Sequence, residues 1–503
     1  MELFGNLATG FGAAMTPMNL LFALVGCLIG TCIGVLPGIG PVATVAMLLP
    51  LTFHLEPLAG LIMLSGIFYG AQYGGSTTAI LVNLPGETSS VVTCIDGYQM
   101  ARRGRAGVAL AVSALGSFFA GTIATFIIAL AAPPLSYVGR SFGAPEYFAL
   151  MLFGLIAAVA LAHGSVIKAI AMIFLGLLLG LVGTDPNTGN GRYSFDIPVL
   201  ADGIGFVPLA IGVFGIGEII SNLKRGTSEE GRSVLAEKIS GLWPTPDDFR
   251  RCWGAWTRGT VLGSVLGILP GGGATLSAFA SYVLEKRYSR NPDEFGKGAV
   301  EGVAGPEAAN NAGAQTSFIP MLTLGIPGNA VMALMIGALT IHGIQPGPLV
   351  MKERPDLFWG LIVSMWIGNL MLLVINLPLI GIWVRLLKVP YQYLYLAILV
   401  FCGIGVYAVN NSAFEVMLAA GFGILGYWLR LMKCEAAPML LGFILGPLME
   451  EHLRRSMLIG KGDPLIFLQR PVSAGLILAA VGLLVLLALP SARRTRDKAF
   501  EAD

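Results

Sequence analysis

Gly34-Val-Leu-Pro-Gly-Ile-Gly40 interrupts the first long apolar run of the chain, and Gly267-Ile-Leu-Pro-Gly-Gly-Gly273 makes the same interruption in the second half. A helix in hydrocarbon hydrogen-bonds its backbone internally, so Pro-Gly at membrane depth indicates a broken helix that protein or a water-lined cavity must cover. Asn83-Leu-Pro-Gly86 and Gly325-Ile-Pro-Gly-Asn329 form a second pair of breaks in the same order. The matched order predicts two internal repeats, an organisation typical of secondary transporters.

The composition around these breaks is that of a membrane protein. Of the 503 residues, 55% are hydrophobic and only 12% are charged, whereas about 25% are charged in ordinary soluble domains. Charge-free runs such as Leu3 to Leu55 exceed the roughly 20 apolar residues that cross a bilayer. We therefore predict an all-α polytopic membrane protein with about 10 to 14 transmembrane or partial helices and Pro-Gly breaks at the midplane. By analogy with other two-repeat transporters we expect inverted repeats, although the helix count leaves the parallel arrangement open.

Charged residues divide the chain near its middle. The longest polar interval, residues 224–258, is rich in Lys and Arg, as is the C-terminal end, and such segments favour the cytoplasmic side of a membrane. We predict a first membrane repeat over 1–223, a polar cytoplasmic linker or surface segment over 224–258, a second membrane repeat over 259–492 and a basic cytoplasmic tail over 493–503.

Several classes of function are excluded by what the sequence contains. The 31 Lys and Arg nearly balance the 29 Asp and Glu, so there is no electropositive field for nucleic acid. The cysteines form no Cys-x-x-Cys pair and the histidines have no metal-ligand spacing, so we expect no metal centre and no cofactor. Gly271-Gly-Gly273 lacks the Gly-Lys-Ser/Thr of a P-loop, and Gly-x-Ser-x-Gly is absent. We therefore expect a protein that is not an enzyme and that draws its energy from an ion gradient or another subunit.

Neutral polar residues gather near the second pair of breaks, within stretches that otherwise lack charge. Amide and hydroxyl oxygens beside glycine can coordinate sodium or hydrogen-bond a carboxylate that faces a helix N-terminus. The alternative is that small hydroxylated residues only let helices approach closely. We predict a substrate and ion site at Gly38, Ser76, Thr77, Asn83, Pro85, Gly86, Gly271, Asn310, Asn311, Thr316, Pro327 and Gly328. A coupling sodium ion near Asn83 or Asn311, or a coupled proton, is the expected ion.

Four carboxylates lie close to these stretches. Glu87 and Asp96 could face a cavity as ion or proton sites, but we expect both at the membrane surface. Glu301 and Glu307 are left open between the mouth of a helix and a cavity.

At these motifs the chain resembles the large membrane subunit of the tripartite tricarboxylate transporter family, TctA. The resemblance spans most of the chain in order. The matching strings include Gly34-Val-Leu-Pro-Gly-Ile-Gly40, Tyr69-Gly-Ala-Gln-Tyr-Gly-Gly-Ser76, Pro306-Glu-Ala-Ala-Asn-Asn311, Thr323-Leu-Gly-Ile-Pro-Gly328, His342-Gly-Ile-Gln-Pro-Gly-Pro348 and Gly462-Asp-Pro464.

The resemblance implies the large permease subunit of a three-part uptake system in the bacterial inner membrane. A periplasmic solute-binding protein would deliver a small carboxylate such as citrate, a small membrane subunit would pair with this chain, and a sodium or proton gradient would drive import through the lipid bilayer. The remaining alternative is a stand-alone ion-coupled permease or exporter of small organic anions. The sequence also leaves a homodimer open.

Overall fold

The computed structural model describes residues 2–36, 40–139, 142–161, 165–185, 188–225, 241–269, 273–386 and 391–488. Nearly all of this part of the chain is helical, and its strands are two short ones. β1 (Gly183–Thr184) pairs antiparallel with β2 (Gly191–Arg192), with Gly183 opposite Arg192. The predicted all-α class is confirmed.

The described part of the chain before the polar interval is a series of α-helices. They are α1 (Glu2–Ala14), α2 (Pro17–Val35), α3 (Pro41–Thr52), α4 (Pro57–Val82), α5 (Val91–Met100), α6 (Ala106–Gly139), α7 (Ala144–Leu161), α8 (Val166–Gly180), α9 (Phe206–Ala210) and α10 (Gly217–Arg225). Short π-helical segments, Ala101–Arg105 and Ile211–Ile216, join α5 to α6 and α9 to α10.

The helices after the polar interval follow a similar order of long and broken elements. They are α11 (Pro246–Gly267), α12 (Gly273–Tyr288), α13 (Glu301–Thr316), α14 (Phe318–Leu324), α15 (Ala330–Ile341), α16 (Val350–Glu353), α17 (Pro355–Asn376), α18 (Ile380–Leu386), α19 (Tyr391–Asn410), α20 (Ala413–Leu431), α21 (Ala437–Ile459), α22 (Ile466–Gln469) and α23 (Pro471–Ala488). α11 crosses the expected boundary at 258/259 as one helix. The rest of that interval, 226–240, and the tail, 493–503, lie outside the described residues.

The helices have the length and composition of membrane spans. In the described ranges, four helical segments are long and apolar enough to cross a bilayer, and seven shorter apolar helices accompany them. On α6, Ala124 and Ile128 are buried while Phe126 and Leu130 are about half exposed. A helix that is apolar on its outer face as well as its inner face suits a lipid environment, so the protein is a multi-pass membrane protein.

α2 and α4 pack with their backbones in contact. A Cβ added at any of three α2 glycines would overlap a carbonyl oxygen of α4, so no other residue fits there without moving a helix. Small residues four apart allow this kind of close approach between membrane helices. The glycines are Gly26, Gly30 and Gly34, and their partners in order are Met63, Ile67 and Ala71.

α11 and α13 pack in the same way and in the same register. The glycines are Gly259, Gly263 and Gly267, and their partners in order are Gly305, Ala309 and Gly313. Each α11 glycine follows its α2 counterpart by one constant offset (259 − 26, 263 − 30 and 267 − 34), and each partner follows its α4 counterpart by another (305 − 63, 309 − 67 and 313 − 71). We call these two contacts the α2–α4 seam and the α11–α13 seam.

Each seam packs on a long helix from the other half of the chain. α4 and α2 both pack on α17, while α13 and α11 both pack on α6. At the first crossing the Tyr73 hydroxyl donates to Asn369 Oδ1 at 2.8 Å. At the second, the Thr125 hydroxyl donates to Gln315 Oε1. This interlocking brings α13 against α4, α5 and α6 in the centre of the molecule.

Candidate functional site

The first described break follows α4. Asn83 ends that helix in the left-handed conformation, with φ 56°, which a small amide side chain tolerates. Asn83 and Pro85 are exposed, but Gly86 is buried. A Cβ at Gly86 would overlap the carbonyl oxygen of Gly34 and lie 2.5 Å from Gly75 Cα. This turn is therefore pressed against the end of α2.

The second described break follows α14 and is less tightly packed. Gly325 ends α14 in the left-handed conformation, with φ 73°. Pro327 and Gly328 are buried, yet the nearest atom to a Cβ at Gly328 would be Ser317 Cβ, at the ordinary contact distance of 3.5 Å. Asn329 then caps α15, because its Oδ1 accepts a hydrogen bond from Met332 N at 2.9 Å.

Between the two seams lies a buried carboxylate surrounded by hydroxyl groups. Glu307 of α13 is 1% exposed. Its Oε2 accepts from Ser76 Oγ of α4 at 2.6 Å and from Ser113 Oγ of α6 at 3.0 Å, and its Oε1 accepts from the Thr93 hydroxyl of α5. Four helices therefore meet at one side chain, which we call the Glu307 cluster.

Two amides continue the Glu307 cluster along α13. Asn311 Nδ2 donates to Ser117 Oγ of α6 at 2.6 Å and to the Glu307 carbonyl oxygen at 3.1 Å. Asn310 Nδ2 lies 3.4 Å from Glu87 Oε1, at the first break. Asn310 Oδ1 is buried and has no hydrogen-bond partner among the described residues. Buried polar atoms without a partner are uncommon and often mark a place where a ligand or water completes the site.

Two other predicted residues have local roles. Thr77 and Thr316 each donate to the carbonyl oxygen four residues earlier, at 3.3 Å and 2.9 Å. Thr316 also packs against Gly267. Thr77 lines a cavity of about 10 Å³ together with Tyr73, Ser113 and Asn376, which is about the space that one water needs.

A larger cavity opens near the first turn of α11. It measures about 320 Å³ and is lined by Arg103, Arg105, Arg251, Asp293, Glu294, Lys297 and Gly298. Part of this charge is already paired, because Arg251 binds both Glu294 and Glu301.

The profile of the tripartite tricarboxylate transporter TctA family matches residues 20–441. The chain belongs to that family. An uncharacterized 52.8 kDa protein in the TAR-I ttuC' 3' region of Agrobacterium vitis is 58% identical over 500 residues, which cover 99% of each chain. An uncharacterized protein in the TAR-II ttuC' 3' region of the same organism is 57% identical over 241 residues, or 48% of this chain and all of that relative. No solved structure gives a significant match.

Membership in the TctA family makes the chain a subunit of a tripartite tricarboxylate transporter. A tripartite system has two further components, a binding protein and a small membrane subunit. The expected family, the transport role and the multi-pass membrane location are therefore confirmed. Neither relative has a characterised substrate or ion.

The site predicted from sequence is only partly assembled in this TctA protein. Ser76, Asn310 and Asn311 lie at the Glu307 cluster, and Gly86 and Glu87 adjoin it through Asn310. Gly328 lies at the other break, against Ser317. Gly38 and Gly271 fall outside the described residues.

The expected surface position of Asp96 is wrong. Asp96 is fully buried, and hydrogen bonds satisfy its carboxylate there. Its Oδ1 accepts from the backbone N–H groups of Gly298 and Ala299 at 2.7 and 2.9 Å, and the Tyr282 hydroxyl donates to its Oδ2 at 2.8 Å. These bonds connect α5 to the start of α13. Glu87 is half-buried beside Asn310 rather than solvated.

Glu301 and Glu307, which the sequence left open between the mouth of a helix and a cavity, have different surroundings. Glu301 pairs with Arg251 at the polar end of α13, as a residue at the mouth of a helix would. Glu307 is deep among helices. Its hydroxyl partners Thr93 and Ser113, and the Asn311 partner Ser117, were missed from sequence. The four-residue spacing of Ser113 and Ser117 within an apolar run was the available signal, since it places both on one face of α6.

Proposed function

We propose that this TctA-family chain is the large permease subunit of a binding-protein-dependent secondary transporter in the bacterial inner membrane. It imports tricarboxylates or related organic anions, with citrate as the leading candidate, and a sodium or proton gradient drives the import. The observation that carries the proposal is the Glu307 cluster, where a buried carboxylate, two amides and several hydroxyls meet beside a broken helix. Intramembrane ionisable residues of this kind usually mark substrate or ion pathways.

We also propose that residues 1–223 and 259–492 are two copies of one repeat. The support comes from the two seams, in which glycine triplets separated by one constant offset pack on partners separated by another. The interlocking contacts are matched as well, since α4 packs on α17 where α13 packs on α6. An inverted arrangement would put both breaks near the midplane, where half-helix N-termini attract anions.

Within this fold we place substrate and ion between the two described breaks. Asn310, Asn311 and Ser76 supply amide and hydroxyl groups there. Gly86 lets the backbone of α2 approach closely, and Gly86 and Gly328 each precede a residue that caps a new helical segment. A small anion would meet backbone N–H groups at these starts.

The test is uptake of radiolabelled carboxylates, led by citrate, into cells that lack their own carriers. The cells express this chain with the binding protein and the small membrane subunit, and each component and each ion gradient is withdrawn in turn. We expect uptake to collapse without the binding protein and without one of the two gradients. Full-rate uptake by this chain alone would favour the stand-alone permease, and no uptake under any combination would reject the substrate class.

A site variant accompanies this test. Asn311→Ala removes the amide that bonds Ser117 and should abolish uptake while leaving the protein in the membrane. Ser364→Ala is the matched control, because Ser364 is also buried but donates only to Leu361 O of its own helix. Equal uptake in the two variants would reject the placement of the site.

A further inference from the structure

Most buried carboxylates of this protein have a charged or backbone partner. Glu285 of α12 pairs with Arg258, whose Nε donates to it at 2.9 Å. Asp96 accepts two backbone N–H groups. Glu307 differs, since all its side-chain partners in the described ranges are neutral hydroxyl groups. A carboxylate held away from water without a cation is costly unless it takes up a proton or an ion.

The hydroxyl partners fit both protonation states of Glu307. A Ser or Thr hydroxyl can donate to a carboxylate and can rotate to accept from a carboxylic acid. Ser76, Thr93 and Ser113 therefore satisfy the charged side chain and also the neutral one, without any movement of the backbone. An arginine or a backbone N–H can only donate, so it stabilises the charged form more than the neutral one.

The spacing of the oxygens leaves no place for a metal ion among them. Ser76 Oγ and Ser113 Oγ approach Glu307 Oε2 to 2.6 and 3.0 Å, which are direct hydrogen-bond distances. A sodium ion between a carboxylate and a hydroxyl would hold their oxygens further apart. The small cavity of about 10 Å³ is lined by Ser113, Thr77 and Tyr73 and not by Glu307.

The groups around Glu307 favour a neutral state during part of the cycle. Glu87 lies across Asn310 and brings a second negative charge into the same region, and like charges disfavour simultaneous ionisation. Arg258, a cation on α11, is held by Glu285 beside Gly305 of α13.

We propose that Glu307 is the residue that carries the coupled proton of this transporter. The carboxylate takes one proton from water on the outer side and releases it to water on the inner side in each cycle. Because Ser76 of the α2–α4 seam donates to Glu307, protonation changes a hydrogen bond between the two seams near the first break. This inference rests on the proposed function and names one of its two candidate ions.

The experiment uses the complete transporter, with the binding protein and small membrane subunit, reconstituted in liposomes. Labelled citrate accumulation is driven either by a pH gradient or by a sodium gradient, and infrared difference spectra record carboxylic acid C=O bands between acid and neutral pH. The variants are Glu307→Gln and the control Glu301→Gln, whose side chain pairs with Arg251 away from the Glu307 cluster. Thermal unfolding verifies that each variant is folded.

We expect Glu307→Gln to lower accumulation driven by the pH gradient by about tenfold or more and to lose one C=O band. Glu301→Gln should keep both the accumulation and that band. Accumulation driven only by sodium, or a full set of bands in Glu307→Gln, would overturn the proposal. If no carboxylate enters in the parent, the proposed function fails, but the infrared comparison still decides whether Glu307 binds a proton.

A second variant covers the case in which Glu307→Gln does not fold. Ser113→Ala keeps the carboxylate and removes one hydroxyl that stabilises its charged form. The C=O band of Glu307 should then appear at higher pH than in the parent. An unchanged titration of that band would count against the Glu307 cluster as the proton site.

Discussion

The two seams have the same backbone geometry and different chemistry. α4 runs directly into its Pro-Gly break at Asn83, whereas α13 is followed by α14 before the break at Gly325, and both of these residues are left-handed. The equivalent positions then diverge, because the residue after Gly86 is the acid Glu87 and the residue after Gly328 is the amide Asn329. The contrast teaches that glycine contacts build the same scaffold at both seams, while the polar side chains differ between them.

The same asymmetry holds within α4 and α13, further from the breaks. At the offset that relates Ala309 to Ile67, the α4 position equivalent to Glu307 is Ser65, a small hydroxyl residue. The α11–α13 seam thus supplies the buried acid and amides, and the first half supplies the hydroxyl groups that surround them. The Glu307 cluster is therefore a single site rather than one of a symmetric pair.

The largest effect is expected where the seams are alike. Gly30→Ala and Gly263→Ala each put a Cβ onto a carbonyl oxygen of the facing helix, and backbone cannot move aside as a side chain can. Both should destabilise the protein by about 4 kcal/mol or more and remove folded protein from the membrane. Gly403→Ala in α19, where a Cβ meets nothing within 4 Å, is the control. Yield and thermal unfolding in detergent measure the effect, and a tolerated variant at either seam glycine would break the equivalence.

The next largest effect is a difference in uptake between variants at the two breaks. Gly86→Ala should reduce uptake by roughly 100-fold, because a Cβ there overlaps Gly34 O and displaces the turn that carries Glu87. Gly328→Ala should retain uptake within about twofold, since its Cβ has ordinary contacts only. Transport assays at equal expression test this difference. Equal losses in the two variants would mean that the breaks are packed alike.

A third prediction concerns charge in the second half only. Arg258 neutralises the fully buried Glu285, whereas the equivalent positions in the first half, at the offset of the glycine triplets, are Val25 and Thr52. Arg258→Ala leaves a buried carboxylate unpaired and should cost about 2 to 3 kcal/mol, below the full value for a buried pair because Arg258 is partly exposed. Thermal unfolding should show partial recovery when Glu285→Gln is added. A loss that persists unchanged in the double variant would assign it to packing.

The smallest effect links the two halves at their polar end. Burial of Asp248 disfavours its charge, but hydrogen bonds from Arg105 and Thr245 outweigh that cost and lower the pKa of the carboxyl below its ordinary value. A depressed pKa stabilises the fold above about pH 4, the unfolded value, and this stabilisation is lost as pH falls through the folded value. Asp248→Asn should therefore lower stability by at most about 1 kcal/mol at pH 7. The difference in melting temperature from the parent should shrink as pH falls below about 4. A difference that does not change with pH would show that charge is not its cause.

The sequence predicted the scaffold better than the site. Pro-Gly dipeptides report local backbone breaks, so Gly86 and Gly328 could be found without knowing their neighbours. The glycines spaced by four in α2 and α11 were a local signal of the same kind, but we did not predict the seams from them. Glu307 could not be assigned, because its burial depends on hydroxyls from α4, α5 and α6 that are distant in sequence. Asp96 was misplaced for the same reason, since its partners lie in the other half of the chain.

The seams also limit which parts of the protein can move. Where carbonyl oxygens pack directly against glycine Cα atoms, no side chain lies between the two backbones to change rotamer, so we expect each helix pair to move as one rigid body. Relative motion during a transport cycle must instead occur where side chains meet, between α4 and α17 and between α13 and α6. The Tyr73–Asn369 and Thr125–Gln315 hydrogen bonds span those two contacts. They are the bonds that would break and re-form as the two rigid bodies slide past the long helices.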